Sequence, residues 1–166
     1  QALNPAHKPL VIFTPKSMLR LKEAVSPVGA FTSGRFEPVL PDVAVDPAGV
    51  RRVVLCSGKG YWDLLKHQQS EGVTDTAIVR VERLYPLPAE EIASVLASYG
   101  PDVQLRWVQE EPANQGMWPF IAMNLPAALG RGLTVVSRAA ASSPAVGSAK
   151  RHNVEQTQLG GCPFAG

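Results

Sequence analysis

With 166 residues, 45% of them hydrophobic and 18% charged, the chain has the length and composition of a soluble domain with a real core. Its formal net charge of +2 is too small to direct it to nucleic acid or to a membrane surface, so neither partner is expected. Two cysteines, Cys56 and Cys162, and the scattered His7, His67 and His152 offer neither a disulfide framework nor metal-ligand spacing.

Residues 9–14 (P-L-V-I-F-T) read as a short buried strand closed by Pro15, and residues 16–25 as a short helix. Residues 26–49, rich in Pro, Gly and small side chains, read as a long surface loop with a weak strand at 36–40. A regular alternation follows. Strands are predicted at 52–56, 76–84, 103–108 and 133–137, and helices at 61–71, 89–99, 117–129 and 151–159. Gly100 is placed as the glycine that stops the second of these helices, and Pro126 as a kink or end of the third. Residues 160–166, with Gly160-Gly161 and Pro163, are expected to be an unstructured tail after a single domain over residues 1–159.

Strands alternating with helices of about ten residues imply right-handed crossovers. Runs such as V-V-L-C and L-V-I-F are apolar on both faces, as a covered sheet requires. The predicted fold is therefore a three-layer α/β sandwich on a mostly parallel sheet of about five strands. Cys56 lies in an apolar run and reads as a reduced core thiol. Residues 1–8 are polar and no apolar run approaches the ~20 residues of a membrane span, so a reducing cytoplasm is the expected compartment. The chain opens on Gln1 in mid-flow, which reads as a piece of a longer polypeptide, with a processed mature chain as the alternative.

Residues 57–60 (S-G-K-G) join a strand to a helix, where backbone N–H groups and the helix dipole can gather an anion, but neither full phosphate-loop pattern is present. A turn that needs glycine for its geometry is the favoured reading. Glu110 and Glu111 are a carboxylate pair at a strand end, joined by Asn114, Gln115 and Trp118. Paired carboxylates perform acid–base chemistry when their pKa values are driven apart. No nucleophile or metal-ligand cluster accompanies these, so docking or a subunit contact is weighed against a plain cap or salt bridge. Arg138, just after the last predicted strand, precedes small residues that permit close backbone approach at an interface. No residue is assigned a catalytic, cofactor-binding or metal-binding role.

Six segments occur in order: 13–20 (F-T-P-K-S-M-L-R), 56–59 (C-S-G-K), 77–82 (A-I-V-R-V-E), 84–88 (L-Y-P-L-P), 108–118 (V-Q-E-E-P-A-N-Q-G-M-W) and 143–147 (S-P-A-V-G). Together they closely resemble the C-terminal domain of 2-oxoglutarate dehydrogenase, over nearly all of residues 8–158. The domain is shared by actinobacterial multifunctional 2-oxoglutarate metabolism enzymes. The resemblance implies a fold like the C-terminal domain of transketolases. It also implies a part in the oxidative decarboxylation of 2-oxoglutarate in the tricarboxylic acid cycle, with the succinyl group passed to lipoamide. In that family thiamine diphosphate and Mg²⁺ are bound by upstream domains at a dimer interface, so this chain alone is expected to bind neither and to be inactive. The implied partners are those upstream domains, a homodimer mate and the lipoyl-bearing succinyltransferase, with Glu110, Glu111, Asn114, Gln115, Trp118 and Arg138 as candidate contacts. Some relatives bind a nucleotide or acyl-CoA regulator in a basic pocket, for which Arg35 and Arg83 are the candidates here. Glu90 and Glu91 stand where actinobacterial relatives tend to carry arginines, which argues against an acyl-CoA site. A free-standing α/β binding or assembly module is the alternative from a different class.

Overall fold

The computed structural model describes residue 5 and residues 8–164. By its internal contacts the chain divides into two units, Gln1–Gly34 and Arg35–Gly166. The described part of the first unit consists of two 3₁₀ turns, Lys16–Arg20 and Lys22–Ala24, and a single α-helical turn, α1 (Gly29–Thr32), none of which contains a buried residue. The strand expected at 9–14 is not formed: these residues are irregular chain, and Ile12 and Phe13 are 73% and 94% exposed. A strand is stabilised by a neighbour's ladder bonds and by a covered face, and the apolar run has neither. The helix expected at 16–25 is reduced to the two 3₁₀ turns, because so short an element is marginal without an apolar face to bury.

The second unit carries the whole sheet. Its strands are β1 (Val39–Leu40), β2 (Arg52–Cys56), β3 (Thr76–Val81), β4 (Gln104–Pro112) and β5 (Thr134–Arg138), in the spatial order β1-β3-β2-β4-β5. Only β1 runs antiparallel, at the edge beside β3; the β2–β3, β2–β4 and β4–β5 pairs are parallel. Four helices accompany the strands: α2 (Gly60–Glu71), α3 (Ala89–Leu96), α4 (Trp118–Leu129) and α5 (Ala149–Gly161).

Strand β2 shows why the sheet needs cover on both sides. All five of its residues are buried, and successive side chains enter different cores. Val53 and Leu55 join the larger core with Trp107 of β4, Ile92 of α3 and Ile121 and Leu125 of α4. Val54 and Cys56 join the smaller one with Leu64 of α2, Ile78, Val108 and Phe164. This is the period-two alternation of a strand between two helical layers. Helices α3 and α4 cover one face, and α2 and α5 the other, which gives the three-layer α/β sandwich predicted from the sequence.

Several element ends differ from expectation: β3 stops at Val81 and not 84, and β4 runs on to Pro112. Helix α3 stops at Leu96 and tightens through Ser98 and Tyr99, whose N–H groups bond to Val95 and Leu96, before Gly100 is reached. Gly100 is not left-handed, whereas Gly72 and Gly130, which stop α2 and α4, are. Pro126 does not end α4, which continues to Leu129. The expected tail is structured as far as Phe164: α5 runs through Gly160 and Gly161 into a 3₁₀ turn, Cys162–Phe164. Two arginines, buried Arg52 and half-buried Arg106, explain this. Arg52 donates to the Phe164 carbonyl at 3.0 Å, Arg106 to those of Cys162 and Pro163 at 3.2 and 3.1 Å, and the Phe164 ring stacks on His67. Residues 165 and 166 lie outside the described residues.

Candidate functional site

Strands β2 and β4 are neighbours, yet the helices that follow them leave to opposite faces of the sheet. The crevice outside their carboxyl ends is the usual ligand position in an open α/β sheet. Here it receives the S-G-K-G turn from β2 and residues 109–118 from β4.

The turn uses glycine for geometry: Gly58 has φ +62°. Lys59 makes an ion pair with Asp63 one helical turn on, and a second with Glu110 at 3.1 Å. Burial alone would lower the Lys59 ammonium, but the hydrogen bond to Asp63 and the charge of Glu110 outweigh it and hold it above its ordinary value. Lys59 therefore stays charged at neutral pH, and its charge is already neutralised. Gln156 of α5 ties the cluster together, donating to Asp63 at 2.9 Å and to Glu110 at 2.8 Å. Its own carbonyl accepts from Arg138 at 2.8 Å. The Arg138 guanidinium also contacts His152 Nδ1 at 3.1 Å and lies 3.4 Å from Glu155, which Arg151 holds at 2.6 Å. Glu110 and Arg138 thus belong to one network across α2, β4, β5 and α5.

Beyond Glu110 the strand continues to Pro112, then turns at a left-handed Gly116 (φ +64°), where an added Cβ would lie 2.9 Å from Glu111 Cβ. Sequence reasoning quoted Gln109 in this stretch but assigned it no role. It is buried, and its side chain organises the turn. Its Oε1 accepts from Trp107 Nε1 at 3.1 Å and from the Trp118 backbone N–H at 2.8 Å. Its Nε2 donates to the carbonyls of Pro112 and Gln115 at 3.1 and 2.8 Å. The available signal was the amide's place between two tryptophans, since a buried indole N–H seeks an acceptor.

Asn114 pairs both ways with the Ala141 backbone, donating to its carbonyl and accepting from its N–H, each at 3.0 Å, and Gln115 donates to the same carbonyl at 2.8 Å. These amides hold the small-residue loop against the turn. The loop, Pro112, Arg138, Arg151 and Glu155 line an open pocket of about 270 Å³. Glu111 is exposed and Trp118 packs against the larger core. Arg35 and Arg83 stand apart from this network. Arg35 pairs with Glu37 at 2.7 Å, and Arg83 with Glu91 at 3.1 Å while also donating to the Pro86 carbonyl. Cys56 is fully buried, and burial pushes its thiol up to about 12.

Residues 25–162 match the family model described as 2-oxoglutarate dehydrogenase C-terminal. The chain belongs to that family. Among 2-oxoglutarate dehydrogenase relatives, the E1 component of Azotobacter vinelandii is 44% identical over 165 residues, 96% of this chain and 18% of its own. The multifunctional 2-oxoglutarate metabolism enzyme of Mycolicibacterium vanbaalenii is 44% identical over 95% of this chain and 13% of its own. The E1/E2 component of Corynebacterium glutamicum is 46% identical over 162 residues, again 13% of its length. The chain thus spans less than a fifth of each of these relatives. At the glycine turn no uncompensated lysine is left for a diphosphate, since the one lysine there is neutralised by two carboxylates. Among the described residues no group of three or more His, Cys, Asp or Glu could hold a metal ion. Nor, among them, is any helix long and apolar enough to cross a membrane.

Proposed function

We propose that the chain is the C-terminal, non-catalytic part of a cytoplasmic 2-oxoglutarate dehydrogenase. The whole enzyme decarboxylates 2-oxoglutarate oxidatively and passes the succinyl group to lipoamide on a partner succinyltransferase. Thiamine diphosphate and Mg²⁺ are held by other domains of the polypeptide, and this domain supplies contacts within the homodimer and with partners. The observation that carries the reading is the family match over residues 25–162, joined to identities of 44–46% with 2-oxoglutarate enzymes five or more times longer. The strand-end chemistry agrees with it. Lys59, Asp63, Glu110, Gln156 and Arg138 bind one another, with Arg138 Nε the only buried polar side-chain atom among them left without a hydrogen bond, so they stiffen the end of the sheet.

The test compares the purified 166-residue chain with the full-length polypeptide, each given 2-oxoglutarate, thiamine diphosphate, Mg²⁺ and an artificial electron acceptor. Turnover is expected only from the full-length protein. Turnover by the short chain, or none by the full-length protein, refutes the proposal.

A further inference from the structure

The stretch at 8–34 presents a contradiction that the rest of the chain does not. Its sequence reads as a buried strand followed by a helix, yet no described residue in it is buried. Eight of the thirteen large apolar side chains exposed among the described residues fall here, including Val11, Ile12, Phe13, Leu19, Val28 and Phe31. Isolated turns of three to five residues do not persist in water on their own bonds. Nor does a soluble surface carry such a run of aliphatic and aromatic side chains without a use for it.

The position of the stretch identifies what covers it. The C-terminal family model starts at residue 25, whereas relatives match 95–99% of the chain, so they share the preceding residues as well. In those relatives more than 80% of the polypeptide lies outside the match. The model is that of a C-terminal domain, so the bulk of their length precedes this stretch. Charge adds a second constraint. Residues 9–34 hold Lys16, Arg20 and Lys22 against Glu23 alone, a net +2 that equals the total of the whole chain.

We infer that residues 9–34 form a strap that buries its apolar side chains in an acid-rimmed apolar groove on the preceding part of the same 2-oxoglutarate dehydrogenase polypeptide. The inference rests on the proposed function, because it needs that longer polypeptide. Within it, the continuous apolar run at 9–14 acquires the two covered faces it was built for, and the 3₁₀ turns acquire a surface to lie on. A second copy of the chain and a separate partner protein are the competing occupants.

The experiment uses the full-length dehydrogenase with a photoreactive benzoylphenylalanine in place of Phe13 or, separately, Phe31. Protomers are mixed from light and heavy nitrogen so that intrachain and interchain cross-links differ in mass. Intrachain cross-links to peptides preceding Gln1 are expected, together with amide exchange across 9–34 at least about 100-fold slower than for free chain. A Phe13→Asp, Phe31→Asp double variant should accelerate that exchange by at least about tenfold. Mixed-isotope links, links to the succinyltransferase, or free-chain exchange across 9–34 in the full-length protein would each overturn the strap. These readouts report packing and not turnover. A full-length protein that fails to decarboxylate 2-oxoglutarate would sink the proposed function and leave the cross-link map readable.

Discussion

Replacing Gln109 with leucine tests whether the turn after β4 is held by one amide. The substitution keeps the side chain's approximate volume in a buried position and deletes its polar atoms. It strands two donors, the Trp107 indole and the Trp118 N–H, and two acceptors, the carbonyls of Pro112 and Gln115. A buried polar group left without a partner costs about 1–3 kcal/mol. Trp107 is 1% exposed and has no route to water, so its indole is charged the full amount; the others lie nearer the surface and recover part of theirs. The net expectation is a loss of about 3–5 kcal/mol, a large share of a domain's stability. Urea unfolding followed by tryptophan fluorescence measures it, with Gln109→Glu as a companion. The glutamate keeps the acceptor but turns a carboxylate towards two carbonyls, so it should be no less damaging. A Gln109→Leu loss below about 1 kcal/mol would show that the turn does not depend on this side chain.

Three further outcomes are expected. Gly116→Ala should cost more than Gly72→Ala although both glycines have φ +64°, because the new methyl meets Glu111 Cβ at 2.9 Å in one case and open space in the other. The open site should lose about 1–2 kcal/mol from the left-handed backbone alone, and equal losses in paired unfolding curves would contradict the packing at the turn. The buried Cys56 thiol keeps its proton to about pH 12, whereas the unfolded chain releases it near the ordinary 9.0. Its contribution is complete below pH 9 and falls as pH rises through that window, by about 1.4 kcal/mol per unit and about 4 kcal/mol at most. Cys56→Ala should flatten the alkaline limb of the stability–pH curve, and an unchanged slope would refute the assignment. Asn114→Ala should cost under about 1 kcal/mol, since its bonds to Ala141 are exposed, yet amide exchange in residues 139–147 should quicken; an unchanged rate would mean that the loop is held by other contacts.

The sheet was legible because its strands announce themselves twice. Residues 53–56 are apolar at every position, and glycine follows the helices at Gly72 and Gly130. The extension of β4 to Pro112 was not legible, since Gln109, Glu110 and Glu111 look like a loop; they cross an irregularity in the β4–β5 pairing, beyond which Pro112 is again registered on Arg138. The ordered turn at 162–164 was hidden for a similar reason. Its anchors, Arg52 and Arg106, are more than fifty residues away in sequence, and Gly-Gly-Cys-Pro carries no local sign of them. The candidate site was half legible. Glu110 and Arg138 were both named, but the link between them is Gln156, an unremarkable glutamine on a helix that shows its importance only when the two strand ends are brought beneath it.

The place of Gln156 in chain order has a consequence for biosynthesis. Helix α5 follows all five strands, so during synthesis the sheet and the α3–α4 layer can assemble while the opposite face still lacks half its cover. Until α5 emerges, the Lys59 ion pairs with Asp63 and Glu110 lack the Gln156 amide that ties them to Arg138, and Arg138 has no Glu155. The strand end therefore locks in a single late step, when α5 closes over a sheet whose five strands all precede it.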